Sequence, residues 1–349
     1  MQSPVRTPIF LLLVCLILTV LNLGCGGGGL PASSQLAQTA QSTAQSMQSP
    51  MLGFVSTNNG NEVRAILGVP GASVLSNPLA IPPGVTNLYF APGQKYAIVA
   101  ESPGSPVGVL TFPTSTPGPV VEISGAISQP DIVSFSPSGA AAALYSSSQG
   151  TIEVVSGLPS TPHLAFSISS TDLPNAIGLI ALADDGTTLL GGTANSSVYR
   201  LVAGSAPLMV DTVGDLEGVA FVPQSQNALI FDRNNSSLSL LQNVNGSASA
   251  SSLVGGLTGL GGKITLQVAA GLAMVTGTSS NQLWQINLQN SHVQSQQLPA
   301  TATTLQPLRT SGKYLVSWQS GQPAWIVDTS GQAGAVFFVP ANIDAGSHP

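Results

Sequence analysis

Apolar and polar positions along this chain follow a recurring pattern of short strands and tight turns. The pattern is clearest in residues 131–156, where apolar and polar side chains alternate over 132–136 and again over 151–155. Between these two stretches lies a run of small apolar residues at 140–146, and a turn ending in glycine precedes and follows that run. Alternation with a period of two, bounded by turn residues, predicts three antiparallel strands joined by tight turns.

Looser copies of this unit occur along the whole body of the chain. The most regular marker is the tight turn between the second and third strands of each copy, which recurs every 40 to 46 residues. Its seven occurrences are Asn59-Gly60, Pro103-Gly104, Gln149-Gly150, Asn195-Ser196, Asn235-Ser236, Ser280-Asn281 and Ser320-Gly321. A weaker fourth strand is visible in several copies, at 120–123 and 164–168 for example. The sequence therefore predicts seven units of four strands.

Units of this length cannot bury both faces of a small sheet alone, so they must stack on their neighbours. A period of 40–45 residues with four strands is typical of propeller blades. Helical repeats are excluded because 38 Gly and 26 Pro are scattered evenly along the chain and leave no helix-length window. The predicted fold is an all-β, seven-bladed β-propeller of four-stranded blades spanning 51–340.

The two ends of the predicted ring lack a matching pair of strands. The first unit begins at Met51 with what is a second strand in the repeat frame. The last apolar run, 335–339, ends in Phe338-Val339-Pro340 and repeats Phe221-Val222-Pro223, the end of an innermost strand. We expect this C-terminal strand to complete the first blade and so close the ring. The alternative is that it is the outermost strand of the seventh blade, because the spacing is too short for both.

The first 50 residues are predicted to be a targeting signal followed by a flexible tether. An apolar run at 9–23 suits the core of a secretory signal peptide over 1–24 and is too short to span a bilayer comfortably. The segment Leu21-Asn22-Leu23-Gly24-Cys25 resembles a bacterial lipobox, which implies cleavage before Cys25 and lipidation of its sulfur. Residues 25–50 form a flexible tether and 341–349 a disordered tail. An ordinary cleaved signal peptide or an uncleaved anchor is the alternative.

In its pattern of strands and turns, the repeat region at 51–340 resembles the bacterial YVTN-type and lactonase-like propellers, which are WD-repeat-like in architecture. With the lipobox, this resemblance implies a lipoprotein of the bacterial cell envelope, anchored to a membrane on its extracytoplasmic side. It also implies that carboxylates and amides at the mouth of the central channel are the place to look for a site.

Composition narrows the list of partners. Charged residues make up 6% of the chain, and eight Lys and Arg are spread over 349 residues with a net charge of -6. No basic stripe can neutralise a row of phosphates, so nucleic acid is excluded as a partner. The two cysteines, Cys15 and Cys25, precede the body, which excludes a disulfide or a thiolate metal site there. We expect a monomer without a cofactor.

Five polar residues near the starts of first strands are the candidate ligand or cation contacts. In a propeller these entry positions line the channel mouth, where oxygen ligands could hold a hard cation or a polar molecule. The candidates are Asn87, Asp131, Asp215, Glu217 and Lys263. The alternative is that they are solvated rim residues. We also expect Asp232 and Arg233 to form an ion pair beside their turn.

Catalytic residues are not predicted. His163, His292 and His348 are isolated from one another in the repeat frame, which argues against a zinc site or a Ser-His-Asp hydrolase. Three functions remain open: a binding or scaffold module for a protein, a glycan or a small ligand; a lactonase-like hydrolase with its site at the channel mouth; and a structural envelope protein. We favour the first, because a propeller alone does not specify activity and no catalytic constellation is present.

Overall fold

The computed structural model describes residues 50–57, 60, 62–269, 271–331 and 334–341. Within these residues the regular elements are β-strands, and none is a helix long and apolar enough to cross a membrane. The proposed signal peptide, Cys25, most of the tether and residues 342–349 lie outside the described part of the chain.

The strands form seven antiparallel sheets, which we number as blades one to seven in chain order. Blade one contains β1 (Met51–Ser56), β2 (Val63–Val69) and β3 (Ala72–Leu75). Blade two contains β4 (Asn87–Phe90), β5 (Tyr96–Ala100), β6 (Gly108–Thr111) and β7 (Val120–Glu122). Blade three contains β8 (Ile132–Phe135), β9 (Ala141–Ser146), β10 (Thr151–Ser156) and β11 (His163–Ser169). Blade four contains β12 (Ile177–Leu182), β13 (Thr188–Thr193), β14 (Ser197–Val202) and β15 (Leu208–Thr212).

The remaining three blades follow the same order, with the first strand innermost and the fourth outermost. Blade five contains β16 (Leu216–Phe221), β17 (Ala228–Asp232), β18 (Ser237–Gln242) and β19 (Ser249–Val254). Blade six contains β20 (Ile264–Ala269), β21 (Leu272–Gly277), β22 (Gln282–Asn287) and β23 (Val293–Gln297). Blade seven contains β24 (Gln306–Pro307), β25 (Lys313–Ser317), β26 (Ala324–Asp328) and β27 (Ala335–Val339). The predicted seven-bladed β-propeller is confirmed.

The turns that set the repeat frame have the geometry that their residues favour. In six of the seven, the second named residue has a positive φ, as in Gly150 (61°) and Ser236 (47°). Glycine adopts this left-handed region without strain, and a non-glycine residue does so less readily. The second strands that precede these turns are buried along their length, as β9 and β13 show, because each lies between two strands of its own sheet and two neighbouring blades.

Hydrophobic packing closes the ring. Seven buried clusters lie in the gaps between neighbouring blades. The gap between blades seven and one is filled like the others: Leu52 and Ile66 of blade one pack with Leu315 and Ile326 of blade seven. Burial of apolar surface at every gap is the main favourable contribution to the stability of such a ring.

The predicted role of the C-terminal strand is wrong. β27 pairs antiparallel with β26 from Ala324↔Val339 to Asp328↔Ala335 and is the outermost strand of blade seven. Blade one accordingly has three strands among the described residues, where four were expected. The connection between β26 and β27 spans only residues 329–334, which favours a hairpin with the adjacent strand over a crossing to another blade.

A glutamine side chain occupies part of the place that an innermost strand of blade one would fill. Gln94, from the turn between β4 and β5, accepts a hydrogen bond from Phe54 N at 2.7 Å and donates one to Phe54 O at 3.0 Å. Gln94 is fully buried and has a φ of 47°. A Cβ at Gly53 would collide with Gln94 Oε1 and lie 3.0 Å from Leu308. The inner edge of β1 is therefore covered by side chains.

Blade seven reaches across the same edge. Thr310 N donates to Leu52 O at 3.1 Å. Arg309 donates from Nη1 to Phe112 O at 2.7 Å and from Nη2 to Pro113 O at 3.2 Å, which links blade seven directly to blade two. The bond to Leu52 O satisfies a carbonyl that a bare edge of β1 would leave unpaired.

Two adjacent carboxylates join blades three, four and five at the turn between β12 and β13. Asp184 accepts from Ser138 N at 2.7 Å and from Gln224 N at 2.9 Å, one in each neighbouring blade. Asp185 accepts from Thr188 N at 2.9 Å and from Asn245 Nδ2 at 3.0 Å. This turn has a structural role in holding blades three, four and five together.

The carboxyl of Asp185 should make stability depend on pH in the acid range. Burial raises its pKa, but the hydrogen bonds from Thr187, Thr188 and Asn245 outweigh burial and lower the pKa to about 2. A carboxyl whose pKa is lower in the folded than in the unfolded protein stabilises the fold at pH values above its unfolded pKa, which is near 4 for Asp. That stabilisation is lost as the pH falls through the folded-state pKa. We expect Asp185→Asn to be less stable than the parent at pH 6. The loss should be only about 1 kcal/mol, because solvent screens the charge at this exposed site. Thermal unfolding should show the difference shrinking between pH 4 and pH 2. A difference that is constant from pH 6 to pH 2 would contradict this assignment.

Candidate functional site

A polar cleft lies where the inner strands of blades four, five and six begin. Its volume is about 520 Å³, within the usual range for small-molecule sites. Blade four contributes glycine, hydroxyl and apolar groups, blade five contributes three charged side chains, and blade six contributes one. The lining residues are Gly178, Leu179, Gly192, Thr193, Ala194, Ser196, Asp215, Leu216, Glu217, Arg233, Gly262 and Lys263.

A buried aspartate, Asp232, positions the charged residues that blade five contributes to the cleft. Asp232, the last residue of β17, accepts from Gly214 N at 3.2 Å, Asp215 N at 2.9 Å and Asn235 Nδ2 at 2.6 Å. Burial raises the pKa of Asp232, but these bonds outweigh it and the pKa is lowered. Its carboxylate thus ties the loop that enters blade five to the turn after β17. That tie places Asp215 next to Arg233, whose backbone N donates to Asp215 O at 2.9 Å.

The guanidinium of Arg233 bridges blades five and six across the cleft. Its Nη2 lies 3.2 Å from Glu217 Oε2 and donates to Gly262 O. Its Nε lies 4.0 Å from Asp215 Oδ2 and, within the described part of the chain, has no hydrogen-bond partner although it is buried. The expected pairing of Arg233 with Asp232 is wrong, because Asp232 is occupied by amide donors and Arg233 turns to the carboxylates of the cleft instead.

Lys263 is the second cation of the cleft. Its residue is exposed, and its backbone N donates to Thr278 Oγ1 at 3.0 Å, which fixes the start of β20. Among residues that the structure describes, its ammonium has no ion pair and no hydrogen bond. A free ammonium in the same cleft as a partly paired carboxylate is available to a ligand without breaking an existing contact.

The structure brings three of the five candidate residues together and leaves two elsewhere. Asp215, Glu217 and Lys263 share the cleft, whereas Asn87 begins β4 in blade two and Asp131 precedes β8 in blade three. Asp131 accepts from Ser147 Oγ at 2.6 Å and Ser147 N at 2.7 Å, and these bonds lower its pKa. Its carboxylate braces a turn of its own blade.

The histidines that the structure describes lie outside the cleft. His163 Nδ1 is 3.0 Å from Thr161 O, and His292 N donates to Asn290 Oδ1 at 3.0 Å. His348 lies outside the described residues. Over the described ranges, His, Cys, Asp and Glu form no group of three placed to hold a metal ion.

The central channel is a second and larger cavity, of about 620 Å³, lined by inner strands of blades two to seven. Its two charged lining residues are already engaged. Arg309 donates to backbone oxygens of blade two, and Lys313 Nζ lies 2.6 Å from Asp328 Oδ1 and 3.1 Å from Ser330 Oγ. The channel therefore offers apolar and uncharged polar groups, while the cleft offers charges that are free or only partly paired.

Comparison with known proteins shows the fold and no nearer relationship. No protein-family model matches the chain, and no curated protein matches it in sequence. Solved structures match across 83–84% of the chain. One is a Lactobacillus plantarum protein (14% identity, 97% of that chain, TM-score 0.57). A second is a functionally unknown protein of Desulfotomaculum acetoxidans (15% identity, 100%, TM-score 0.55). A third is a proposed 6-phosphogluconolactonase of Bacteroides fragilis (12% identity, 94%, TM-score 0.56).

Proposed function

We propose that this chain is a lipid-anchored, extracytoplasmic propeller that binds a small polar ligand in the cleft between blades four and six. One observation carries the proposal. Four of the twelve residues lining the cleft are charged, in a chain of which only 6% is charged. A protein that otherwise relies on uncharged polar side chains concentrates its charges here, and convergent polar groups in a concave site favour ligand binding.

The geometry favours binding over hydrolysis. Glu217 is already paired with Arg233 at 3.2 Å, and no histidine of the described residues lines the cleft to act as a general base. The lactonase-like alternative has one support, the Bacteroides fragilis neighbour, and that likeness is one of fold. We expect no hydrolysis of 6-phosphogluconolactone above the spontaneous rate. Turnover that disappears in Glu217→Gln would favour the hydrolase instead.

Binding can be tested with ligand-observed NMR. A panel of neutral sugars, amino acids and dicarboxylates is mixed with the parent protein and with Lys263→Gln. The matched control is Lys95→Gln, which removes the same charge from an exposed residue outside the cleft. We expect at least one class to bind the parent and Lys95→Gln equally and Lys263→Gln about fivefold more weakly. Equal binding to all three proteins, or binding to none, would contradict the proposed site.

The anchor is tested separately. In the proposed lipoprotein Cys25 carries the acyl chains. A single acyl chain binds a membrane only marginally, whereas several chains give a stable attachment. We expect Cys25→Ser to move the protein out of the membrane fraction or to accumulate as the unprocessed precursor. A Cys15→Ser variant is the control and should fractionate like the parent. If Cys25→Ser also fractionates and migrates like the parent, the chain is held by another means.

A further inference from the structure

The ligand class follows from which charges in the cleft remain unneutralised. Arg233 and Glu217 lie 3.2 Å apart and form the closest ion pair of the cleft. Asp215 is only loosely joined to that pair, at 4.0 Å, and its side chain is 48% exposed. Lys263 has no ionic partner within the described residues. The cleft thus has one available anion, in blade five, and one available cation, in blade six.

We infer that the cleft binds a zwitterion, a small molecule with an ammonium group at one end and a carboxylate at the other. The ammonium pairs with Asp215 in blade five, and the carboxylate pairs with Lys263 in blade six. The buried Nε of Arg233, 4.0 Å from Asp215 Oδ2, lacks a hydrogen-bond partner within the described residues, so the polar groups at this end of the cleft are incompletely satisfied. This inference rests on the proposed function and assigns its ligand class.

Charge balance separates this class from its competitors. A purely anionic ligand would meet Lys263 but also the carboxylates of Asp215 and Glu217, and a purely cationic one would meet Lys263 and Arg233. Like charges brought close together oppose binding, so each competitor gains one pairing, with Lys263 or with Asp215, and meets two like charges. A neutral sugar avoids the repulsions but leaves both charges without a counter-ion. A zwitterion in the matching orientation satisfies both.

The shape of the cleft sets the size of the ligand. Its volume of about 520 Å³ accommodates a molecule of amino-acid or dipeptide size. On the blade four side the lining is small and uncharged, with Gly192 and Thr193 at the end of β13. That side leaves room for a short apolar or hydroxylated portion between or beside the two charged groups.

Calorimetric titration with ω-amino acids of increasing length tests the inference. The series runs from glycine through β-alanine and γ-aminobutyrate to 6-aminohexanoate, each compared with the amine and the carboxylate of the same carbon count. We expect an optimum at one chain length, where the zwitterion binds about tenfold tighter than the amine or the carboxylate of the same carbon count. Asp215→Asn and Lys263→Gln should each weaken the optimal ligand about fivefold. Glu122→Gln and Lys95→Gln, exposed outside the cleft, are the matched controls and should bind like the parent.

The other outcomes of these binding experiments distinguish an error in the ligand class from an error in the site. If a neutral sugar binds and Lys263→Gln weakens it while no amino acid binds, the zwitterion is wrong and the proposed site stands. If an amine or a carboxylate binds as tightly as the zwitterion of its length, the pairing of two charges is wrong. If no member of the series and no member of the wider panel binds, the proposed function fails together with the inference. Thermal unfolding of each variant within about two degrees of the parent shows that the fold is kept.

Discussion

Replacing Gln94 with alanine should lower the free energy of unfolding by roughly 2–5 kcal/mol, because two buried backbone groups lose their partners at once. Gln94 bonds both the amide and the carbonyl of Phe54, as a neighbouring strand would. In its absence the amide and carbonyl of Phe54, a fully buried residue, are left without these partners. Denaturant unfolding followed by tryptophan fluorescence measures the change.

Two further variants separate the hydrogen bonds from other effects. Gln94→Met keeps most of the volume and removes both bonds, so it should remain well below the parent in stability. Gln224→Ala is the control for backbone conformation, since Gln224 also has a positive φ, 56°, in a turn between first and second strands but is exposed. We expect its effect to be within about 1 kcal/mol. A Gln94→Met protein as stable as the parent would show that the two bonds are not what closes the first blade.

Replacing Phe54 with alanine should be equally severe, at about 3–5 kcal/mol for a large buried aromatic. Phe54 is fully buried and packs against Phe90 at 5.7 Å and Phe112 at 4.7 Å between ring centroids. These three rings fill the gap between blades one and two. Because β1 has no inner neighbour strand, this packing and the contacts across its inner edge hold it in the ring.

The control for the aromatic substitution is Phe338→Ala in the outermost strand of blade seven. Phe338 is 56% exposed and contacts Trp325 at the surface, so its loss should change the free energy of unfolding by about 1 kcal/mol or less. Both variants are compared by urea unfolding. Similar losses for Phe54→Ala and Phe338→Ala would contradict the view that the gap between blades one and two is a critical part of the ring.

The strands and the number of blades could be predicted from sequence because both are local. Alternation, turn residues and the 40–46 residue spacing identify strands such as the apolar run at 140–146, which the structure places at Ala141–Ser146. A tight turn followed by a buried strand depends on a few neighbouring residues. Repetition then makes the count reliable, since a feature seen weakly in one copy is clear in the next.

Closure of the ring could not be predicted because it depends on contacts between distant residues. The likeness of Phe338-Val339-Pro340 to Phe221-Val222-Pro223 correctly indicates a strand end but not the sheet to which the strand belongs. The short connection after β26 was the better signal. Nothing in the residues around Gln94 indicates that its side chain bonds Phe54, forty positions earlier in the chain.

The site was predicted in part, by position within the repeat. Counting back from first strands located Asp215, Glu217 and Lys263, which share a cleft, and also Asn87 and Asp131, which do not join it. The repeat frame fixes which end of a blade a residue occupies but not whether its side chain is engaged within its own blade. Arg233 was missed as a member of the site because its apparent partner was the adjacent Asp232. An aspartate at the end of an apolar strand, followed by Arg233 and then Asn234-Asn235, was the available signal for a carboxylate occupied by turn amides.

Hydrogen–deuterium exchange with and without the tightest-binding small molecule tests the central claim most directly, because it locates the ligand. If the cleft between blades four and six is the site, backbone amides of residues 192–196, 214–217, 233–236 and 261–263 should exchange more slowly in the complex. The turn at 308–314, which borders the larger central channel, should exchange at the same rate as in the free protein. Protection at 308–314 with no change at the cleft would place the ligand in the channel and contradict the account.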